Sequence, residues 1–387
     1  MGVAARQTRG RWALVAGGLA VLASLPALIG AWPVSAPDVE PAELRERILA
    51  SADVAYAGYA ESDGSLGMPD LPAIDNVGAL LGSVTRLRVW ESPDGSRVDV
   101  LTPTGERGLY EEPARPGRPV GPSGSGPVGT GLFSWDFEEN TTTALFGEPG
   151  LRLPRAADLA PPRLARRLLG GPRGAERLEA LPDRRVAGVA AAGVRLVVTD
   201  PETTVGHVDV WADPRTGLPL EVRVVGRGGG APGLRTRFLD LTQGPGAVPT
   251  DVLEPPHPEG GRRAEALVSS IGRIDQFAPD VLPDRLAGRA SSQVVDAGRS
   301  VRTYGQGFST FGALALPPGL GFRVYDTARS AGGVAVELEG GDAVLLTTPL
   351  LNLLVVSAHR GPGFVVAGPV GRDLLAEAAL DLLAVTS

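Results

Sequence analysis

Residues 208–225, VDVWADPRTGLPLEVRVV, decide the fold. They read as two short strands, VDVW and LEVRV, joined by Asp213-Pro214-Arg215-Thr216-Gly217. Val208 and Val210 alternate with Asp209 and Trp211, and Val222 and Val224 alternate with Glu221 and Arg223, so each strand has two unlike faces. Asp opens the turn, Pro fixes φ at the next position, and Gly supplies the residue that reaches positive φ. The pattern predicts a hairpin.

The same alternation extends outward. Residues 85–90 place Leu87 and Val89 on one face and arginines on the other, and 97–100 alternate again. Segments 132–137 and 142–146 flank a Glu-Glu-Asn-Thr turn. Strands are expected at 56–62, 185–190, 194–199, 206–211, 218–225 and 234–241, and helices at 41–49, 161–169 and 175–181. Many antiparallel strands with few helices indicate one curved sheet, open on one side, with covering helices. A long loop at 63–76 and a Pro/Gly/Ser stretch at 112–131 interrupt it.

The Pro/Gly-rich segment PTDVLEPPHPEGG, 249–261, is the best domain boundary. Beyond it, short strands are expected at 300–304, 308–316, 321–325, 334–338, 343–347, 350–357 and 364–367. A closing helix at 371–384 groups Leu374, Leu375, Ala378 and Leu382. The expected fold class is mainly β with α (α+β): an N-terminal half-barrel of curved antiparallel sheet with covering helices, plus a smaller C-terminal α+β domain. The boundaries are 1–36 for a signal peptide or membrane anchor, 40–245 for the half-barrel, 246–264 for a linker and 265–387 for the second domain.

Composition narrows the function. The chain of 387 residues has 53 Gly, 35 Pro, 0 Cys and 3 His, and every basic residue is Arg. A net charge of −7 argues against a general nucleic-acid binder. Without Cys there is no disulfide framework, thiolate nucleophile or lipid-modified cysteine. Arg6, Arg9 and Arg11 precede an uncharged apolar run from 12 to 37, an export signal or an uncleaved anchor. Both readings place the remainder outside the cytoplasm, secreted or anchored to the cytoplasmic membrane.

Catalytic and metal chemistry find little support. His207, His257 and His359 are far apart and none has a metal-ligand spacing, so no metal and no cofactor are expected. Ser123 and Ser125 lie in a Gly/Pro loop without the strand-turn-helix context of a nucleophile elbow. Gly226–Gly230 lack the Lys-Ser/Thr of a phosphate loop. Asn140-Thr-Thr142 matches a glycosylation sequon.

The hairpin, with its order of preceding elements, resembles the lipoprotein-carrier (LolA-like) superfamily and its RseB/MucB branch. The residues carrying the resemblance are Trp211, Asp213, Thr216, Gly217, Leu218 and Leu220. Tyr304-Gly-Gln-Gly-Phe-Ser-Thr-Phe311 is similar to a segment of the RseB C-terminal domain, with Gln306 where an acid is expected. The resemblance implies a non-enzymatic extracytoplasmic protein. It would hold a lipid or acylated protein in an apolar half-barrel and signal occupancy to a membrane partner such as an anti-sigma factor. Candidate ligand-binding residues are Leu87, Val89, Val98, Val100, Trp135, Phe137, Leu196, Val198, Val208, Val210, Val222 and Val224. The loop at 63–83 and the segment at 158–181 would gate it. The alternatives are a purely protein-binding anti-sigma regulator and a cell-wall or carbohydrate-active hydrolase, the latter requiring two carboxylates on separate strands.

Overall fold

The computed structural model describes residues 35–67, 69, 77–112, 131–146, 153–171, 176–256, 262–267, 274, 277–292, 299–359 and 361–386. The expected signal or anchor through residue 34, most of the 63–76 loop and the 112–131 stretch lie outside them, as does His257. Among the described residues no helix is long and apolar enough to cross a membrane.

The first part of the chain runs α1 (Pro41–Ala50), β1 (Tyr56–Gly64), α2 (Val77–Gly82), β2 (Val84–Ser92), β3 (Gly95–Leu101), β4 (Glu106–Glu112), β5 (Gly131–Asp136), β6 (Thr141–Phe146) and a 3₁₀ turn, Ala156–Leu159. It continues with α3 (Pro161–Leu169), β7 (Glu176–Val186), β8 (Val189–Val198), β9 (Val205–Ala212), β10 (Pro219–Gly226), β11 (Leu234–Gln243) and β12 (Arg262–Leu267). The strands form a 12-stranded sheet in the order β12-β6-β5-β4-β3-β2-β1-β11-β10-β9-β8-β7. It is curved and unclosed. Every pair is antiparallel except β12 with β6.

The quoted hairpin behaves as its sequence dictates. Asp213 accepts from Arg215 N at 2.9 Å and from Gln243 Nε2 at 2.6 Å, closing the turn with a side chain. Gly217 takes φ +72°. A Cβ there would lie 2.2 Å from the Arg47 carbonyl oxygen, so glycine also lets α1 rest on the turn. Arg47 donates to the Pro214 carbonyl from the other side.

Three sequence expectations are corrected. The expected helix at 175–181 is the first half of β7. Its Ala, Glu, Arg and Leu favour a helix locally, but Glu176–Leu181 pair residue by residue with β8, and ladder pairing overrides propensity. The expected strand at 321–325 lies inside the helix Pro318–Ser330. Pro318 starts it, and Gly321, Val324 and Ala328 are buried at helical spacing. Residues 262–267, divided between the expected linker and second domain, add β12 to the edge of the first sheet.

The second domain runs β13 (Arg285–Leu286), β14 (Arg289–Ala290), β15 (Val301–Tyr304), β16 (Phe311–Leu316), α4 (Pro318–Ser330), β17 (Val334–Leu338), β18 (Gly341–Thr347), β19 (Asn352–Ala358), β20 (Gly363–Gly368) and α5 (Arg372–Thr386). Its six-stranded sheet orders β15-β16-β20-β19-β18-β17. Alternate residues feed two cores: Leu354, Val356 and Val366 meet Leu375 and Leu382 of α5, while Leu353, Val355 and Val365 meet Val324 and Ala328 of α4.

A short seam joins the domains. Thr204 N donates to the Pro369 carbonyl at 2.8 Å, Gly371 N donates to Glu202 O at 3.1 Å, and Thr204 Oγ1 donates to Leu350 O at 2.6 Å. Leu350 belongs to the first domain's core. Gly226 permits the approach, since a Cβ there would stand 2.4 Å from the Pro349 carbonyl oxygen.

Candidate functional site

Register assigns each strand residue to one of two faces, because directly paired residues in an antiparallel ladder share a face. On the concave face, Leu87 pairs with Val100 and Val89 with Val98. Leu196 pairs with Val208, Val194 with Val210, Val210 with Val222 and Val208 with Val224. Thus ten of the twelve expected residues share one face: Leu87, Val89, Val98, Val100, Leu196, Val198, Val208, Val210, Val222 and Val224. All are buried except Val100, which is half-buried. Leu44 and Ile48 of α1, Leu159 of the 3₁₀ turn, and Ala165 and Leu169 of α3 fill the concavity as one core with them.

Trp135 and Phe137 do not belong there. Trp135 pairs with Gly108, and the concave positions of β5 are Leu132, Ser134 and Asp136. Trp135 and Phe137 pack edge to face, at 5.6 Å, on the opposite face, where Phe137 is 54% exposed. The sequence assignment placed the bulkiest residues inward. The ladder instead tolerates polar residues inward at this end of the sheet, where charged partners meet them.

A largely buried ionic cluster, which the sequence reading missed, lies on the same face where α3 meets β2, β3 and β4. Arg163 Nε donates to Glu91 Oε2 at 2.8 Å, and Arg166 Nη2 donates to Glu91 Oε1 at 2.9 Å. Arg163 also donates to Ser96 Oγ at 2.6 Å and lies 2.8 Å from Glu111 Oε2. The Tyr56 hydroxyl donates to Glu91 Oε2 at 3.0 Å. Burial alone would raise the Glu91 carboxyl, but Arg163, Arg166 and Tyr56 outweigh it and hold it below the usual carboxylate range. Burial, then the neighbouring Glu91 charge, push the Tyr56 hydroxyl well above its ordinary value. The signal available in sequence was the spacing Arg163-x-x-Arg166, which puts both guanidiniums on one side of a helical turn.

α3 is therefore held in two ways: by apolar contacts of Ala165 and Leu169 and by the Arg163/Arg166 latch. Arg45 of α1 donates from Nε to the Leu169 carbonyl at 2.9 Å, satisfying the helix end. Just past that end lies a cleft of about 490 Å³ between the domains. Arg167, Leu168 and Glu176 line one wall, and Gln306, Phe308 and Pro369 the other. Its second wall is the Gly-Gln-Gly-Phe segment singled out in the sequence. Tyr304 and Phe311 stack at 5.5 Å beneath it, and the Tyr304 hydroxyl donates to Pro283 O at 2.8 Å.

The hydrolytic alternative needs a carboxyl with a raised value beside an ionised one. Glu91 and Glu111 do come from separate strands, but both are engaged by Arg163 and Glu91 is depressed; Glu176, which burial raises, lines the cleft with no second carboxylate among its lining residues. Among the described residues no group of three or more His, Asp or Glu is placed to hold a metal ion. His207 lies 3.8 Å from Asp209 on the open face, and His359 is exposed.

No family model and no curated protein matches the chain. Solved structures do. MucB in complex with MucA is 14% identical, covering 88% of this chain and 97% of that one, with a TM-score of 0.46. The Pseudomonas aeruginosa MucA/MucB complex is 16% identical, covering 88% and 98%, with a TM-score of 0.46. A LolA superfamily protein from Nitrosomonas europaea is 11% identical, covering 56% of this chain and 99% of that one, with a TM-score of 0.23. These solved structures are MucB and LolA superfamily proteins, the groups that the hairpin and the Tyr304–Phe311 segment resemble.

Proposed function

We propose that this chain is a non-enzymatic, extracytoplasmic binding protein whose half-barrel accepts an acyl chain when α3 withdraws, and whose second domain reports that withdrawal to a membrane partner such as an anti-sigma factor. The observation that carries the reading is the construction of the concave face. It is a continuous apolar strip, yet it is closed by a short helix held with ion pairs rather than by strands. An acyl chain replacing the helix would bury ~0.8 kcal/mol per methylene, to offset the lost apolar contacts of α3 and the uncovering of Glu91. The C-terminal end of α3 abuts the interdomain cleft, so helix movement and the second domain are mechanically linked. MucB, to which the fold is similar, is complexed with MucA, a precedent for a protein partner.

A second reading, a protein-binding regulator without lipid, draws on one specific observation: the concave face is already filled, with Val208, Val210 and Val222 at 0% exposure. Native mass spectrometry of the chain made in an exporting host, followed by solvent extraction, separates the two. A co-purifying acyl species, or saturable uptake of a fluorescent fatty acid that Glu91→Gln enhances, supports the lipid reading. A bare polypeptide mass with no uptake by either form assigns the protein-only role.

A further inference from the structure

The open face of the first sheet carries a charged cluster built on Trp211, a residue packed into the first core, that the half-barrel reading does not use. Trp211, 5% exposed, lies across Gly193, where a Cβ would stand 2.7 Å from the indole Nε1. That Nε1 donates to the Pro182 carbonyl at 3.0 Å, which fixes the ring. The Arg184 guanidinium stands 4.3 Å from the ring centroid, and that of Arg223 stands 5.0 Å away.

Beside the ring, one carboxylate serves three guanidiniums. Arg223 Nε and Arg235 Nε both donate to Glu221 Oε1 at 2.8 Å. Arg184 Nη1 is 3.0 Å from Glu221 Oε2 but out of line for a hydrogen bond, and that buried nitrogen has no other partner. Arg223 and Arg235 are directly opposite in the ladder, a like-charge pairing flanked by an acid on each side: Asp209, engaged by Arg195, opposite Arg223, and Asp63 opposite Arg235. Glu221 also pairs in register with Arg237, whose Nη2 reaches only to 3.8 Å from Glu61. Burial and the neighbouring Arg223 and Arg235 charges together push Arg184 below its ordinary value despite Glu221. Arg223 and Arg235 each spend Nε on Glu221, and among the described residues their Nη groups have no hydrogen-bond partner. Within contact of the Trp211 ring and Glu221, three guanidiniums thus meet one carboxylate on a rigid aromatic floor, Asp209 being taken up by Arg195.

We propose that Arg184, Arg223 and Arg235, set on Trp211, form a binding site for a phosphate-class oxyanion, either free or carried on a lipid headgroup. The planar forks match oxyanion geometry, the strands hold them in fixed register, and the anion supplies the charge that Glu221 alone does not. The site is on the face opposite the half-barrel interior, so it acts whether or not an acyl chain binds there.

The test reads Trp211 fluorescence of the full chain during titration with inorganic phosphate. Two further arms use phosphatidylcholine vesicles with and without phosphatidylglycerol. A saturable change is expected with phosphate or with the anionic vesicles, absent with chloride and with neutral vesicles. It should vanish in Trp211→Phe and weaken about tenfold or more in Arg235→Gln. Glu221→Gln, which neutralises the competing carboxylate, should tighten binding and keeps the test decisive if Arg235→Gln folds poorly. A response to phosphate assigns a free oxyanion, and a response to anionic vesicles alone assigns a headgroup. No saturable response in either arm, a response unchanged by Arg235→Gln in a folded protein, or weakening by Glu221→Gln overturns the proposal.

Discussion

The two faces of the first sheet use arginine to opposite ends. On the concave face the arginines arrive from a helix: Arg163 and Arg166 meet Glu91 and Glu111, two cations for two carboxylates, and the Glu91 side chain keeps 11% of its exposure. On the open face the arginines belong to the sheet: Arg184, Arg223 and Arg235 share Glu221 and remain 25% to 33% exposed. Balanced and buried, the first set closes a surface. Unbalanced, with wetter arginines around a Glu221 that is itself only 3% exposed, the second leaves charge for something else. The same ion-pair chemistry is structural in one place and available in the other because stoichiometry differs.

The sharpest way to break this comparison is to remove Glu91. Glu91→Ala leaves two half-buried guanidiniums without their shared carboxylate and should cost about 3 kcal/mol, measured by urea unfolding followed by circular dichroism. Replacing the set together, Glu91→Leu with Glu111→Gln, Arg163→Met and Arg166→Met, should recover most of that loss, because no uncompensated charge remains. A single-variant loss below about 1 kcal/mol would place Glu91 among solvated surface ions and end its role as a latch.

A smaller effect is expected at the turn that seats α1. Gly217→Ala forces an L-residue to φ +72° and drives a Cβ against the Arg47 carbonyl. A loss of about 1–3 kcal/mol should follow. Gly188, also at positive φ (+81°) but with nothing near its Cβ, should lose less when changed to Ala, since only the backbone term applies. Equal losses at the two glycines would mean that contact with α1 contributes nothing.

How much of this was legible in sequence follows from which forces act locally. The hairpin at 208–225 was readable because Asp213, Pro214 and Gly217 set their own dihedrals, and the concave valines because alternation survives any tertiary context. β7 was misread because Glu176 to Ala180 favour a helix in isolation, and only the β8 ladder makes them a strand. Trp135 and Phe137 were assigned to the wrong face because two-residue periodicity fixes which residues share a side but not which side is inward. The Arg163/Arg166 latch stayed hidden for a simpler reason: its carboxylates lie far back in the sequence, Glu91 on β2 being 72 residues from Arg163 and Glu111 standing on β4, and no local pattern announces the partner. The unbalanced Arg184/Arg223/Arg235 set likewise exists only after register is known.

Acid bears on both faces: burial would raise Glu221, but Arg223, Arg235 and Arg184 outweigh it and hold that carboxyl too below its ordinary value, so the part played by Glu91 is read by difference. The Glu91 carboxyl is raised by burial but lowered further by Arg163, Arg166 and Tyr56, so it sits below the unfolded value of 4.5. A group depressed on folding stabilises fully above that unfolded value, and the contribution is lost as pH falls through the folded one. Unfolding free energy should therefore decline on acidification below about 4.5, and Glu91→Gln should flatten that decline. Uptake of a fluorescent fatty acid should rise over the same range, as protonated Glu91 loosens α3. If the decline is identical in parent and Glu91→Gln, the acid sensitivity belongs to other carboxylates.

The smallest effect is expected at an ion pair that is geometrically as good but wet. Arg177 Nη2 and Glu179 Oε1 are 2.5 Å apart on β7, with 67% and 40% of their side chains exposed. Water solvates each ion nearly as well alone as paired, and holding two long side chains together costs entropy. A double-mutant cycle through Arg177→Gln and Glu179→Gln should return a coupling of about 0–0.5 kcal/mol that fades further in salt. The matching cycle through Arg166→Gln and Glu91→Gln should return a coupling several-fold larger and nearly insensitive to salt, since few ions reach a buried pair. Distance alone predicts the reverse order, because the wet pair is the shorter one. Comparable couplings would show that burial is not what distinguishes the two faces, and the latch would then be one ordinary ion pair among many.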